Sequence, residues 1–362
     1  MSKEFSVFIY LGSFVISSLF IYLGINKRNV LKGIFTLLGL SIPVVMATFR
    51  SLTVGIDTYP YYYLYQTYSS FPTLTEKFKI LGFKEYINTL LIHICSKFGG
   101  FNLYLFIFST LTLIVIVIAF YNILPTNDVA ICFFLYLCFF FPQLLNIMRQ
   151  SLAISLVFMS YKYIIDKKPL KFFVIIFLAS GVHISALVVI PMYFLINRNE
   201  EINYFVFCIF SLLLGLFAIY PAIFFTLVAK IPSFDRYNFY TDYSGDINNR
   251  IFYLNLFIFV VIFILRKYLF NKNKYNTFLI IGLFWGLLIG ISGFSSPFIK
   301  RIGGYFDIVQ VVLITELSSV FSSEMQNLMV RYSICLMGIL YFIVTSYSLG
   351  LARILPYSFQ IY

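Results

Sequence analysis

The chain has 362 residues, 61% hydrophobic and 11% charged, with 26 Lys and Arg against 14 Asp and Glu for a net charge of +12. Soluble domains carry roughly 25% charged residues and must still face water, so this composition excludes a soluble globular protein and reads as a polytopic membrane protein. The positive charge concentrates in the short stretches INKRNVLK (25–32), DKKPLK (166–171) and RKYLFNKNK (266–274), which is a positive-inside pattern and not a nucleic-acid surface.

A span needs about 20 mainly apolar residues. In chain order, 5–24 and 33–49 come first, and NKRN after the first run offers no small-residue cleavage site. The stretch 50–100 is tyrosine-rich and is expected outside the membrane. Within it 86–98, YINTLLIHICSKF, is short and half polar, which predicts an interfacial or re-entrant helix. Spans are then expected at 102–121, 129–147 and 150–165. The apolar segment 171–196 is interrupted by SGVH and by Pro191, so it reads as a broken helix or two half-helices. Further spans are expected at 204–222, 251–265, 276–293, 305–320 and 332–349, with a second extramembrane loop near 223–250. The expectation is an all-α, polytopic integral membrane protein. It forms a single domain over 1–362 with about 10–12 transmembrane helices, some broken or re-entrant. With the basic stretches inside, the N-terminus and residues 50–100 lie on the outer face.

Ionisable residues in or beside apolar segments are few: Arg50, Asp57, His93, Arg149, His183, Lys300, Arg301, Asp307 and Glu316. Each is costly in hydrocarbon unless it faces a cavity or a partner. On the expected topology Arg50, Arg149, His183 and the Lys300–Arg301 pair all come to the outer side. Arginines gathered there suit a diphosphate, whose oxygens match the guanidinium fork. The plainer readings stand beside this one. Arg50 also fits a snorkelling anchor, Arg301 ordinary interface charge, His183 a satisfied core histidine and His93 a bland position on an amphipathic stretch. Asp57, in TVGIDTYPYY, suits either a turn or a proton acceptor for a sugar hydroxyl. His183 suits the same proton-accepting role, because histidine as a class titrates near neutrality. The neighbouring tyrosines, Tyr59 and Tyr63 among them, either stack on sugar rings or line the membrane interface.

No HExxH, P-loop, GxSxG or clustered Cys/His set is present, and TDYSGD is a weak acidic pair. The five cysteines, Cys95, Cys132, Cys138, Cys208 and Cys335, lie inside apolar runs without CxxC spacing. They are expected as small core residues. Neither a metal nor another cofactor is expected.

Taken in order, these stretches resemble the EpsG family of polysaccharide polymerases. FRSLTVGIDTYPYYYLY (49–65) is similar to its R, VG, D and Y signature. NIMRQSLAISLVFMSYKYIIDKKPLKFF (146–173) is similar to its RQ segment, and LASGVHISALVVIPMYFL (178–195) to its histidine segment. RIGGYFDIVQVVLI (301–314) and the tail LPYSFQIY (355–362) follow. Gly303 and Gly304 stand where bulkier residues are expected, and 200–300 carries almost no matching residues. The resemblance implies a Wzy-type polymerase of O-antigen, capsule or exopolysaccharide in a bacterial cytoplasmic membrane, with a fold similar to the C-type glycosyltransferases. Its donor and acceptor are oligosaccharides linked to undecaprenyl diphosphate, and its active site faces the extracytoplasmic side. A flippase and a chain-length regulator are the implied partners besides membrane lipid. On this resemblance Arg50, Arg149 and Arg301 hold the diphosphate, and either His183 or Asp57 orients or deprotonates the acceptor. Tyr59, Tyr63, Gln150 and Tyr305 contact glycan, and a single metal-free displacement inverts the anomeric carbon. A lipid-linked oligosaccharide flippase and a membrane acyltransferase remain the competing readings. The first expects a two-fold repeat that this chain lacks. The second expects a carboxylate or arginine beside the histidine, and His183 has neither within four residues.

Overall fold

The computed structural model describes residues 1–81, 85–196, 201–223, 226, 230, 250–273, 275–294 and 296–362. The loop expected near 223–250 therefore lies almost wholly outside the described residues. Within them every regular element is helical, apart from two isolated antiparallel bridges, Arg50 with Phe359 and Ile196 with Ile202. Among the described residues seven helices are long and apolar enough to cross a membrane: Lys3–Gly24, Asn29–Thr48, Gly100–Ile123, Thr126–Asn146, Asn276–Phe294, Ile299–Ser319 and Glu324–Ser348. A pair bent by 68°, Arg250–Ile264 with Arg266–Lys272, makes an eighth if it is one broken span. Three shorter apolar helices, Pro169–Val182, Ile184–Phe194 and Tyr204–Ile219, accompany them. The protein is a multi-pass, all-helical membrane protein, and the expected number of spans is met only when its broken and short helices are counted.

The described residues pack as two compact units, one of 1–162, 173–187 and 315–362, the other of 163–172 and 188–314. In the first, helices α1 (Lys3–Gly24) and α2 (Asn29–Thr48) form a close pair. The Ser17 hydroxyl donates to the carbonyl of Gly39, and a Cβ on Gly39 would lie only 2.7 Å from the Ser17 carbonyl oxygen. Small residues let the two backbones approach, which is how helices associate where no water drives them together. α1 buries Ser6, Tyr10, Ser13, Phe14, Ser17 and Ile21, one stripe at helical spacing. Its Tyr10 and Phe14 rings pack on Phe141 and Phe342.

The stretch after α2 holds three short helices: α3 (Thr58–Ser69), α4 (Leu74–Leu81) and α5 (Tyr86–Phe98). At about 1.5 Å per residue the 13 residues of α5 reach about 20 Å, too short to cross, in keeping with an interfacial element. α6 (Gly100–Ile123) and α7 (Val129–Asn146) follow, α7 being buried on nearly every side. Ile147 leaves helical geometry, with φ −99° and ψ 51°, and α8 (Met148–Ile165) starts at once. α9 (Pro169–Val182) ends at His183, and a 3-10 helix, Ile184–Phe194, continues the chain. The expected break in 171–196 thus falls on the histidine itself.

Hydrogen bonds tie the start of α1, the end of α2, the start of α6 and the end of α7 into one end of this unit. Ser6 Oγ accepts from the Tyr357 amide at 3.0 Å, and Asn102 Nδ2 donates to the Thr48 carbonyl at 3.0 Å. Asn146 Nδ2 donates to the Ala352 carbonyl at 3.0 Å. At the opposite end Lys32 lies 4.1 Å over the Tyr121 ring and Lys162 donates to Asn122 at 3.3 Å.

Candidate active site

Arg50 follows α2 directly and is almost completely buried, with 1% of its surface exposed. Its Nη1 donates to the carbonyl of Ala47, in the last turn of α2. Nη2 donates to the carbonyl of Leu145, in the last turn of α7, at 3.1 Å, and Nε donates to the Thr58 hydroxyl at 3.1 Å. The last carbonyls of a helix have no partner within it and carry the negative end of its dipole, so a cation shared by two C-termini satisfies both. Burial pulls the Arg50 pKa down to about 10, which leaves it charged at neutral pH. The guanidinium edges expected to face a diphosphate therefore face protein oxygens.

Around Arg50 the 50–58 loop is held from two sides. Gly55 adopts φ +93°, and a Cβ there would sit 3.0 Å from Thr58 Oγ1 and 3.1 Å from the Leu145 carbonyl oxygen, so glycine is required. Asn146 Oδ1 accepts from the Ile56 amide at 2.5 Å. The extended C-terminal segment crosses the loop. Ser51 donates to the Ser358 carbonyl at 2.9 Å, Gln360 to the Phe49 carbonyl at 2.8 Å and Gly55 to the Arg353 carbonyl at 2.9 Å. The Tyr362 hydroxyl donates to the Arg50 carbonyl at 3.2 Å. The tail thus closes on the loop that follows α2.

A second cluster forms where α5, α8 and α9 meet, and its centre is Glu85, the residue just before α5. One Glu85 oxygen pairs with Arg149 Nη1, at the start of α8. The other lies 2.8 Å from Nδ1 of His183. The side chains are 11%, 20% and 27% exposed for Glu85, Arg149 and His183, so the cluster is sheltered but reachable. The Arg149 guanidinium also lies 5.3 Å from the centre of the Tyr61 ring on α3, a cation–π contact. Arg149 Nε is buried with no hydrogen-bond partner among the described residues. Tyr86, next to Glu85, lies against α9 at Gly181, where a Cβ would come within 2.4 Å of its ring. The SGVH stretch therefore does two things: it breaks the helix at His183, and its glycine gives Tyr86 room to bring Glu85 alongside.

The remaining expected residues divide by position. Asp57 precedes α3, half-buried. Tyr59 and Tyr63, one helical turn apart on α3, are 59% and 66% exposed, whereas Tyr61 and Tyr65 point inward. Gln150 is buried beside Arg149. Arg301 and Tyr305 belong to the second unit, on the helix Pro297–Asp307, Arg301 exposed and Tyr305 buried. That helix runs through Gly303 and Gly304, so the two glycines do not mark its start. Glu85 was not anticipated. The signal for it is an acid immediately ahead of the amphipathic stretch 86–98, which reads equally well as an ordinary helix-start carboxylate.

The EpsG family matches residues 33–359 of the chain. The matched region contains both the Arg50 loop and the Glu85, Arg149 and His183 cluster. The chain belongs to the EpsG family and is a membrane protein of polysaccharide biosynthesis. No curated protein and no solved structure matches it.

Proposed function

We propose that this protein joins oligosaccharide repeat units carried on undecaprenyl diphosphate, transferring the growing glycan onto the next lipid-linked unit at the outer face of a bacterial cytoplasmic membrane. The observation that carries this reading is the Glu85 carboxylate held between Arg149 and His183. With Nδ1 of His183 donating to Glu85, Nε2 keeps its lone pair and is turned away from the carboxylate. In this reading Nε2 takes the proton of the acceptor hydroxyl as its oxygen attacks the anomeric carbon. The bond to the diphosphate breaks in the same displacement and inverts that carbon. The leaving diphosphate takes the electron pair, and Arg149 stabilises its charge. Glu85, already neutralised on one oxygen by Arg149, stays an acceptor and steadies the imidazolium that forms, a geometry shared by other carboxylate–histidine pairs.

Arg50 contributes at one remove in this scheme, by fixing the loop that presents Asp57 and α3. The exposed Tyr59 and Tyr63 offer two ring faces to the glycan. Sidedness is supported by the basic residues of the first unit: Lys27, Arg28, Lys32 and Lys162 lie at the end away from this cluster, which the positive-inside rule assigns to the cytoplasm.

A membrane acyltransferase is the second reading, because Glu85 now supplies the carboxylate that the sequence around His183 lacks. One experiment separates the alternatives. In a strain lacking this protein, Arg149→Ala is expressed at matched membrane level and the surface glycan is resolved by size. Polymerisation predicts a collapse from a long ladder to single repeats that are still exported. Single repeats trapped inside the cell would indicate a flippase. A full ladder lacking an acyl substituent would indicate an acyltransferase.

A further inference from the structure

α4 and α5 pack side by side in the first unit, and between them lies a group of cations that the scheme above does not use. Lys77, on α4, is 1% exposed, and the contact it makes is from Nζ to the Ser96 hydroxyl on α5, at 3.4 Å. It has no carboxylate partner among the described residues. His93 stands one turn before Ser96 and Lys97 on the same face of α5, and its Nδ1 is buried with no hydrogen-bond partner among the described residues. A buried ammonium without a counter-charge is costly, and so is a buried ring nitrogen without a partner. Burial and the nearby Lys97 both push the Lys77 ammonium below the usual lysine range. Burial, then Lys97 and Lys77, do the same to His93. Among the described residues the charges that shift these two groups, Lys97 and Lys77, are of their own sign.

Apolar residues are exposed beside this cationic centre, together with Glu76, Lys79 and Lys97. Ile80 on α4 and Ile94 and Phe98 on α5 are exposed, Phe98 most of all. A small soluble anion would leave that rim uncovered. An anion carried on a hydrocarbon chain would cover it.

We propose that Lys77, His93, Ser96 and Lys97 form a binding site for the phosphate group of a lipid. Lys77 and Lys97 supply charge, and Ser96 and His93 supply donors to the phosphate oxygens. Ile80, Ile94 and Phe98 receive the start of the chain. The phosphate comes either from a phospholipid headgroup or from an isoprenoid diphosphate. His93 stands two turns along α5 from Tyr86, the residue after Glu85, a rise of about 10 Å. The site does not depend on the polymerase reading.

The test uses the full chain, purified and placed in nanodiscs of phosphatidylcholine. Phosphatidylglycerol and a polyprenyl diphosphate are titrated separately while heat stability and bound adducts are followed by thermal shift and native mass spectrometry. Wild type is expected to be stabilised by at least one of them. A response to phosphatidylglycerol alone assigns the headgroup, and a response to the diphosphate alone assigns the isoprenoid. Lys97→Gln changes an exposed residue, and it should weaken binding roughly tenfold. Lys77→Met should abolish the response and raise the melting temperature of the empty protein, because it removes a buried charge while keeping the volume. A purely structural lysine would instead lose heat stability on this change. Absence of any response in wild type, or binding by both variants equal to wild type, overturns the proposal.

Discussion

Arg50 and Arg149 look alike in the sequence, each a lone arginine at the end of a long apolar run, yet the structure uses them in opposite ways. Arg50 is closed in by backbone carbonyls at the ends of two helices, with no free edge toward solvent. Arg149 meets a carboxylate and a ring, keeps an unpartnered Nε among the described residues and leaves a fifth of its side chain exposed. An arginine satisfied by carbonyls holds a fold in place. An arginine paired with a carboxylate that also holds a histidine is the one the proposed function uses. Sequence position alone does not separate the two cases; the partners do.

The comparison breaks most sharply on removal of each arginine. Arg50→Ala removes the guanidinium donor from the buried Ala47 carbonyl, leaves Leu145 with only the Thr58 hydroxyl at 3.3 Å, and opens a cavity as well, at about 1–3 kcal/mol for each lost partner. Folded protein in the membrane should fall steeply, as measured by detergent-resistant yield and heat stability. Arg149→Ala should instead leave the yield close to normal and remove long glycan chains.

His183→Ala extends the same contrast to the base. General-base loss costs about 10²–10⁴-fold in rate, so repeat-unit transfer by purified protein should fall by that order while the yield is unchanged. An unaltered rate would return the proton-accepting role to Asp57.

The glycines give a smaller and more local contrast. Gly55→Ala forces a φ of +93° on a residue with a Cβ and crowds Thr58 and Leu145, which predicts about 1–3 kcal/mol of lost stability. Gly181→Ala drives a methyl group into the Tyr86 ring, displacing Glu85 from His183. Its expected signature is a lower transfer rate with a smaller stability loss than Gly55→Ala. Equal stability losses at both positions would mean that Gly181 serves packing and not the cluster.

The smallest effect belongs to α3. Tyr63→Ala removes an exposed ring and should leave stability unchanged within about 0.5 kcal/mol. If the ring stacks on sugar, the apparent KM for the acceptor rises while kcat holds.

Much of this was legible in the sequence. The spans follow from apolar run length, and the break at His183 follows from SGVH interrupting a mainly apolar run. Arg149 and His183 stood out because charge is rare inside apolar segments. Glu85 did not, because it lies in the polar stretch 50–100, where a single acid attracts no notice. Its meaning comes only from α8 and α9 reaching it from 64 and 98 residues away in the chain. Lys77 escaped notice for the same reason, since an eight-residue helix with Glu76, Lys77 and Lys79 reads as a solvated surface element until its packing on α5 is known. The structural use of Arg50 was partly readable, as a cation directly after a helix C-terminus. That it serves two helices at once was not.

The central claim is that Glu85 makes His183 a base, and Glu85→Gln tests it most directly, since the amide keeps the size of the side chain and removes its charge. With membrane levels matched, the surface glycan of cells expressing Glu85→Gln is resolved by size beside wild type and His183→Ala. The account predicts that both variants show the same collapse to single repeats. A full ladder from Glu85→Gln beside a collapsed one from His183→Ala would contradict it.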